Sequence, residues 1–191
     1  MQVRILVLAA ACLSQAAEPG GYPSCSRPPG TCVSIRLARY HPGMAHYLFN
    51  FSEGDQEQAA ALLRAKMWGI GGDEKHRDAL APADLVLIYL AAPKREFIGQ
   101  VELASAVHDW TSAEAEVYPG DSPCGVLLSH VEEWDPPVAM NAVVPRIDPE
   151  ASNPYVQQNA RAGFQAGVIR ITPREFETVL AVRAEGAPST A

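Results

Sequence analysis

The chain has little of what most chemistry-bearing motifs require. Its four cysteines form no Cys-x-x-Cys pair, its five histidines are scattered, and no His-Glu-x-x-His occurs. A metal centre therefore has no support in the sequence. Gly-x-Ser-x-Gly is missing, which removes the nucleophile elbow of the α/β-hydrolases. Gly69, Gly71 and Gly72 are not followed by Gly-Lys-Ser/Thr, so they do not form a phosphate loop. Glu132 and Glu133 are neighbours in a strand and so face opposite sides, which spoils them as a carboxylate pair. A Ser/His/Asp triad stays open, because such groups meet only in three dimensions. There is no internal repeat. Basic charge is also short. The net charge is −7, and residues 44–191 alone hold 11 basic and 21 acidic groups. A domain that grips nucleic acid mainly by its phosphates should be basic overall. Nucleic-acid binding here needs a local basic patch or a pocket for a single base.

What is present divides into two parts. Residues 1–43 carry four Arg and one Glu. Met1 to Ala16 has the layout of a secretory signal peptide, with Arg4, the apolar run Ile5 to Leu13 and a Ser14-Gln15-Ala16 cleavage site. That run is too short to span a bilayer. Pro19 to Pro42 is rich in Pro, Gly, Ser and Cys without periodicity and reads as a disordered linker. Two readings follow. One is a secreted protein with a Cys25–Cys32 disulfide. The other, which the abrupt change in composition favours, is translation from Met44 and a cytoplasmic protein, with the lone Cys124 suited to a reducing compartment. The expected layout is an extension over 1–43, one domain over 44–186 and a disordered tail over 187–191.

Periodicity places the elements of that domain. His46 to Phe51 alternates Tyr47, Phe49 and Phe51 against Leu48 and Asn50, a strand with its aromatics on one face. Asp55 and Gln58 suit a capping box before a helix over Gln56 to Met67. Glycines then break it. A short helix over Glu74 to Leu80 is ended by Pro82. Leu85 to Leu90 is a buried strand, and Glu96 to Val107 is a long one with a bulge expected at Gly99. Trp110 to Cys124 reads as a polar loop. Gly125 to Trp134 reads as a strand stopped by Pro136-Pro137, and Met140 to Val144 as a helical turn. Asp148 to Asn159 looks mobile. Val168 to Ile171 is a short strand. Thr172-Pro173-Arg174-Glu175 is the best helix start in the chain, with an N-cap Thr, Pro at the first helical position and Glu three residues after the cap. Strands joined mostly as hairpins predict an α+β fold, a small antiparallel barrel of five to six strands with flanking helices.

The ordered set resembles the EVE domain and, more distantly, the YTH domain, within the PUA-like superfamily. The residues that carry the likeness are the strand Tyr47 to Phe51, the Ser52-Glu53-x-Asp55 turn and its helix, Lys66-x-Trp68, Asp84-Leu85-Val86 with Ala83 in place of the usual Gly, Phe97-x-Gly99, and Gly167 to Pro173. It covers Met44 to about Val182. The resemblance implies a PUA-like barrel and a non-enzymatic reader of a modified base in DNA or RNA, with no cofactor and no membrane attachment. It implies an aromatic pocket in which Trp68 stacks the base, Gly69 follows it, and Asn50 and Ser52 face the base edge. The second aromatic comes from the loop before the fourth strand, where Tyr118 and Trp110 both qualify and Tyr118 is preferred. Lys75, Arg77, Lys94 and Arg95 are the candidates for the nucleic-acid backbone. Some PUA-like relatives cleave nucleosides or RNA, and Lys66 and Glu102 are the candidates for such an activity.

Each feature also has a plainer reading. A Trp at a helix end is often core. Tyr47, Phe49 and Phe51 read as barrel core, Lys75 to Arg77 as a solvated helix face, and Asn50 as a strand-end residue.

Overall fold

The computed structural model describes residues 43–51, 56–148, 150, 152–159, 164 and 167–186. The extension over 1–42, Ser52, Asp55 and the tail over 187–191 lie outside the described residues, as do Cys25 and Cys32.

Alternation along two central strands sets the architecture. β1 (His46–Phe51) sends Tyr47 and Phe49 into one apolar layer and Leu48 into another. The strand over Leu85–Leu90, β3, divides in the same way, with Val86, Ile88 and Leu90 on one side and Leu87 and Tyr89 on the other. The continuous apolar run at Leu85 to Leu90 has this cause: both faces of the strand are covered. α1 (Gln56–Ala65) fills the first layer with Ala59, Leu62 and Leu63. The second layer is filled by α3 (Met140–Val143), α4 (Pro154–Asn159) and α5 (Pro173–Gly186) through Met140, Val156, Phe176, Val179 and Val182. A fully buried Leu, Val or Phe contributes about 1.5–3 kcal/mol.

β1 and β3 run parallel, with Tyr47 opposite Val86 and Phe49 opposite Ile88. The expected all-antiparallel sheet is corrected at this pair. A parallel return needs a crossover of roughly a dozen residues or more. The chain between Phe51 and Leu85 supplies it, through α1, the short strand β2 (Met67–Gly69) and a 3-10 turn at Arg77–Ala79. The other pairs are antiparallel. β4 (Glu96–Leu103) lies beside β3, β6 (Cys124–Ala139) beside β4, β2 and β5 (His108–Asp109) beside β6, and β7 (Val168–Ile171) beside β1. The result is a curled mixed sheet of seven strands in a half-barrel with flanking helices, an α+β fold that fits a PUA-like barrel.

Several boundaries differ from the expected ones for local reasons. α1 stops at Ala65, because Lys66 takes a left-handed φ of 56° and donates its N–H to the Leu63 carbonyl at 3.1 Å. Trp68 therefore sits in a strand rather than at a helix end. The segment expected as a polar loop holds β5 and α2 (Ser112–Val117), the latter started by a Thr111–Glu114 capping box. β6 runs on through Pro136-Pro137. Its ladder to β4 slips there, from Gly99 opposite Glu133 to Phe97 opposite Val138, so the prolines fall where no ladder donor is needed. The slip also meets the bulge expected at Gly99. The segment expected to be mobile contains α4.

Other features match their sequence signals closely. Thr172 Oγ1 accepts from the Glu175 N–H at 3.2 Å, and the Glu175 carboxylate accepts from the Thr172 N–H at 2.7 Å, a complete capping box for α5. Ala83, where the EVE pattern has Gly, has a φ of 72°. That backbone conformation suits glycine. The following Asp84 is buried and fixes the turn by accepting from the Ala45 N–H at 2.8 Å and the Ala81 N–H at 2.9 Å.

Candidate functional site

Packing fails to close at one end of the first layer. The C-terminal end of β1, α1, β2, the turn after Tyr118 and the start of β7 enclose a cavity of about 300 Å³. Of the expected pocket residues, Asn50, Trp68, Gly69 and Tyr118 all line it. Ser52 lies outside the described residues.

Three aromatic rings border the cavity. Trp68 is only 5% exposed and packs on Phe49 with ring centroids 5.8 Å apart, and on Phe51 at 5.9 Å edge to face. It is core and cavity wall at once. Phe51 and Tyr118 are half-buried and line the cavity. Tyr118 packs on Trp110 at 5.0 Å. Trp110 itself is anchored by donating its indole N–H to the Ser122 carbonyl at 2.8 Å and does not line the cavity. Of the two aromatics left open by the sequence, Tyr118 is therefore the one at the cavity, with Trp110 behind it. Gly69 is required here: a Cβ would collide with the Tyr118 hydroxyl and come within 2.6 Å of the Ser122 side chain.

The polar wall is held rigidly. The Asn50 N–H donates to the Gly167 carbonyl at 2.8 Å, and its Nδ2 donates to the Phe164 carbonyl at 2.9 Å. Its Oδ1 is buried and accepts no hydrogen bond. A buried unpaired acceptor costs about 1–3 kcal/mol, so a ligand N–H placed there would be favoured. Glu74 accepts from the Val168 N–H at 3.0 Å, which pins its carboxylate against β7. Asp121 adds a second carboxylate. Burial pushes the Tyr118 phenol above its usual range. The nearby Gly69 N–H acts in the other direction, and the Asp121 charge adds to the rise. The phenol thus stays a donor across ordinary pH.

The expected backbone contacts divide. Lys75 and Arg77 follow Glu74 by one and three positions, and neither lines the cavity. Burial, and after it the charges of Lys75 and Arg170, lower the His76 pKa, with Glu74 opposing. Lys94 reaches the first turn of α1, with Nζ 3.3 Å from Gln56 Oε1. Arg95 does not join them. It lies under Tyr89 in the second layer, where it offsets part of the burial that raises that phenol. The two candidates for hydrolysis are also elsewhere. Lys66 is exposed at the end of α1, and Glu102 pairs with His130 at 3.3 Å. Among the described residues no His, Cys, Asp and Glu group is placed to hold a metal, and no helix is long and apolar enough to cross a membrane.

Sequence reasoning missed Phe51, Glu74 and Asp121. Phe51 ends the aromatic alternation of β1 and could be singled out as its last, least covered member. Glu74 had no local signal, since its partner is 94 residues away.

No family model matches the chain, and no curated protein matches it. Solved structures do. A protein from Rhodopseudomonas palustris aligns at 16% identity over 78% of this chain and 99% of its own, with a TM-score of 0.51. A hypothetical protein from Leishmania major aligns at 16% identity over 74% and 96%, with a TM-score of 0.51. ASCH from Zymomonas mobilis aligns at 13% identity over 72% and 94% with a TM-score of 0.45, too distant to argue from. These likenesses are of fold alone. The half-barrel fits a PUA-like fold, while the finer likeness to EVE rests on the sequence motifs.

Proposed function

We propose that this domain binds nucleic acid and takes one modified base, turned out of its strand, into the cavity beside Trp68. It acts as a reader in the manner of EVE domains and not as an enzyme. The observation that carries the reading is that half-buried rings, Phe51 and Tyr118, line one cavity with Asn50, a residue whose buried Oδ1 is unsatisfied. Rings supply stacking at about 1–3 kcal/mol per base. A methyl group buried among them adds about 0.8 kcal/mol. The orphan acceptor supplies discrimination, because a base without a matching donor leaves it unpaired. Lys75, Arg77 and Arg170 are the residues this reading assigns to the phosphates of the strand. The hydrolase alternative loses weight because neither Lys66 nor Glu102 lines the cavity.

The test is binding of the full chain to short DNA and RNA oligonucleotides carrying unmodified, methylated or hydroxymethylated bases. Trp68→Phe and Tyr118→Ala serve as site variants, since truncating the buried Trp68 to Ala also empties the core. Tighter binding to one modified base, weakened in both variants, supports the reading. Equal binding to all oligonucleotides, or none at low salt, overturns it.

A further inference from the structure

The sign of the cavity's charge restricts what enters it. Among the described lining residues, Glu74 and Asp121 carry negative charge and none carries positive charge. The Glu74 carboxylate is held at the wall by the Val168 N–H and lies against Gly167, so it cannot swing out to solvent without losing that bond. The phosphate of a nucleotide is therefore repelled, and the base end goes in. Asn50 narrows the choice further. Its Nδ2 is committed to the Phe164 carbonyl and its peptide N–H to the Gly167 carbonyl, so the amide cannot turn over. The one side-chain atom left without a partner is Oδ1, an acceptor, in a residue 7% exposed. Phe51, Trp68 and Tyr118 offer ring faces and edges around the same space. Rings together with carboxylates form an environment that attracts a cation and gives an anion no partner.

Resting on the reader function above, we infer that the cavity selects a base whose modification leaves the ring positively charged while an amino N–H remains to meet Asn50 Oδ1. Ring-nitrogen methylation does this, as in 1-methyladenine, 3-methylcytosine and 7-methylguanine. Methylation at carbon 5 of cytosine or on the amino nitrogen of adenine adds the same methyl group but no charge. The two classes thus separate the contribution of charge from that of apolar contact. A delocalised cation stacked on these rings gains the cation–π term in addition to ordinary stacking.

The experiment titrates the full chain with free nucleosides, read by tryptophan fluorescence and by calorimetry. 1-Methyladenosine, 3-methylcytidine and 7-methylguanosine are compared with 5-methylcytidine, N6-methyladenosine and the unmodified nucleosides. The expected result is a preference of about tenfold or more for the cationic set. Glu74→Gln and Asp121→Asn should each bring the ratio of cationic to neutral affinity toward one. Asp121 is exposed, so its variant keeps the test valid if loss of the Val168 anchor unfolds Glu74→Gln. If 5-methylcytidine or N6-methyladenosine binds as tightly as the cations, the charge inference falls and the reader stands. The inference also falls if the ratio is unmoved in Asp121→Asn. If neither nucleosides nor oligonucleotides carrying these bases bind, the reader falls and the inference with it.

Discussion

Around Tyr89 the second layer is sealed. Phe97 and Phe164 pack on its ring at 5.2 and 5.3 Å, and the gap under α5 is about 20 Å³ with walls such as Leu87, Val143 and Val179. Space of that size holds about one water, and its walls are apolar apart from Glu175. Around Trp68 the first layer begins in the same way, with Phe49 and Phe51 on the indole, and then leaves about 300 Å³ unfilled. Aromatic content does not separate the two regions. The neighbours do. Beside Tyr89 they are further large side chains, Phe97 from β4 and Phe164. Beside Trp68 they are Gly69, Gly167 and polar groups whose hydrogen bonds hold them back against the backbone. The cavity exists because the side chains that would fill it are glycines or are tied elsewhere, and the same ties leave Asn50 Oδ1 without a partner.

The comparison breaks most visibly if the two layers are truncated separately. Phe176→Ala empties the sealed layer and should lower stability by about 3–5 kcal/mol, read as a fall in the urea midpoint. The affinity of the folded fraction for the preferred base should not change. If it does, the two layers are coupled and the contrast drawn above is wrong. Gly69→Ala acts on the open layer instead. The new Cβ meets the Tyr118 hydroxyl and Ser122, so strain of about 1–3 kcal/mol is expected. Its main signature is lost base binding, because Tyr118 must move from the wall. A variant with wild-type affinity would show that Tyr118 does not form the site.

The sealed layer was the more legible of the two. Thr172 to Glu175 announces α5 through contacts three residues apart, and Val168 to Ile171 announces β7 through composition. The open layer depends on distant partners. Glu74 meets Val168, and Asn50 meets Phe164 across 114 residues, so no window of sequence contains either pair. β2 is three residues long and β5 two, too short for a period to appear. The parallel β1–β3 pair is legible in principle from the length of the crossover, but counting strands as hairpins hides it. That Asn50, Trp68, Gly69 and Tyr118 line one cavity is visible beforehand only through the ordered family resemblance, since their own spacing gives no sign of it.

Ala83 gives a smaller test, of the resemblance itself. Its φ of 72° is one that a side chain resists, and the EVE pattern has Gly there. Ala83→Gly relieves about 1 kcal/mol of backbone strain, and the greater freedom of glycine in the unfolded chain takes some of it back. A net gain of about 0.5 kcal/mol or less in the urea midpoint is expected. A clear loss would mean that the methyl group packs, and that the departure from the pattern is compensated.

The smallest effect is a pH dependence in which the two layers oppose each other. In the second layer His46 packs edge to face on Phe176 at 4.9 Å, and burial lowers its pKa, against the charges of Asp84 and Glu177. A folded pKa below the unfolded value of 6.5 means that its stabilising contribution is present above pH 6.5 and is lost as pH falls through the folded pKa. On the cavity side His108 lies 3.2 Å from the Ala106 carbonyl and 3.3 Å from Glu114. The bond to Ala106 raises its pKa, partial burial opposes, and Glu114 adds to the rise. This contribution is full below pH 6.5 and is lost as pH rises through the folded pKa. The two terms partly cancel, so stability of the wild-type chain should vary little near pH 6.5 on their account. His108→Gln removes one term, and its stability, followed by urea unfolding from pH ~5 to ~8, should rise more steeply with pH than that of the wild type. His46→Gln should tilt the curve in the other direction. The first variant also tests the site, because the His108–Glu114 contact holds α2, and α2 ends at Tyr118. If His108→Gln keeps the base affinity of the wild type at every pH from ~5 to ~8, this clip does not hold the cavity wall in place.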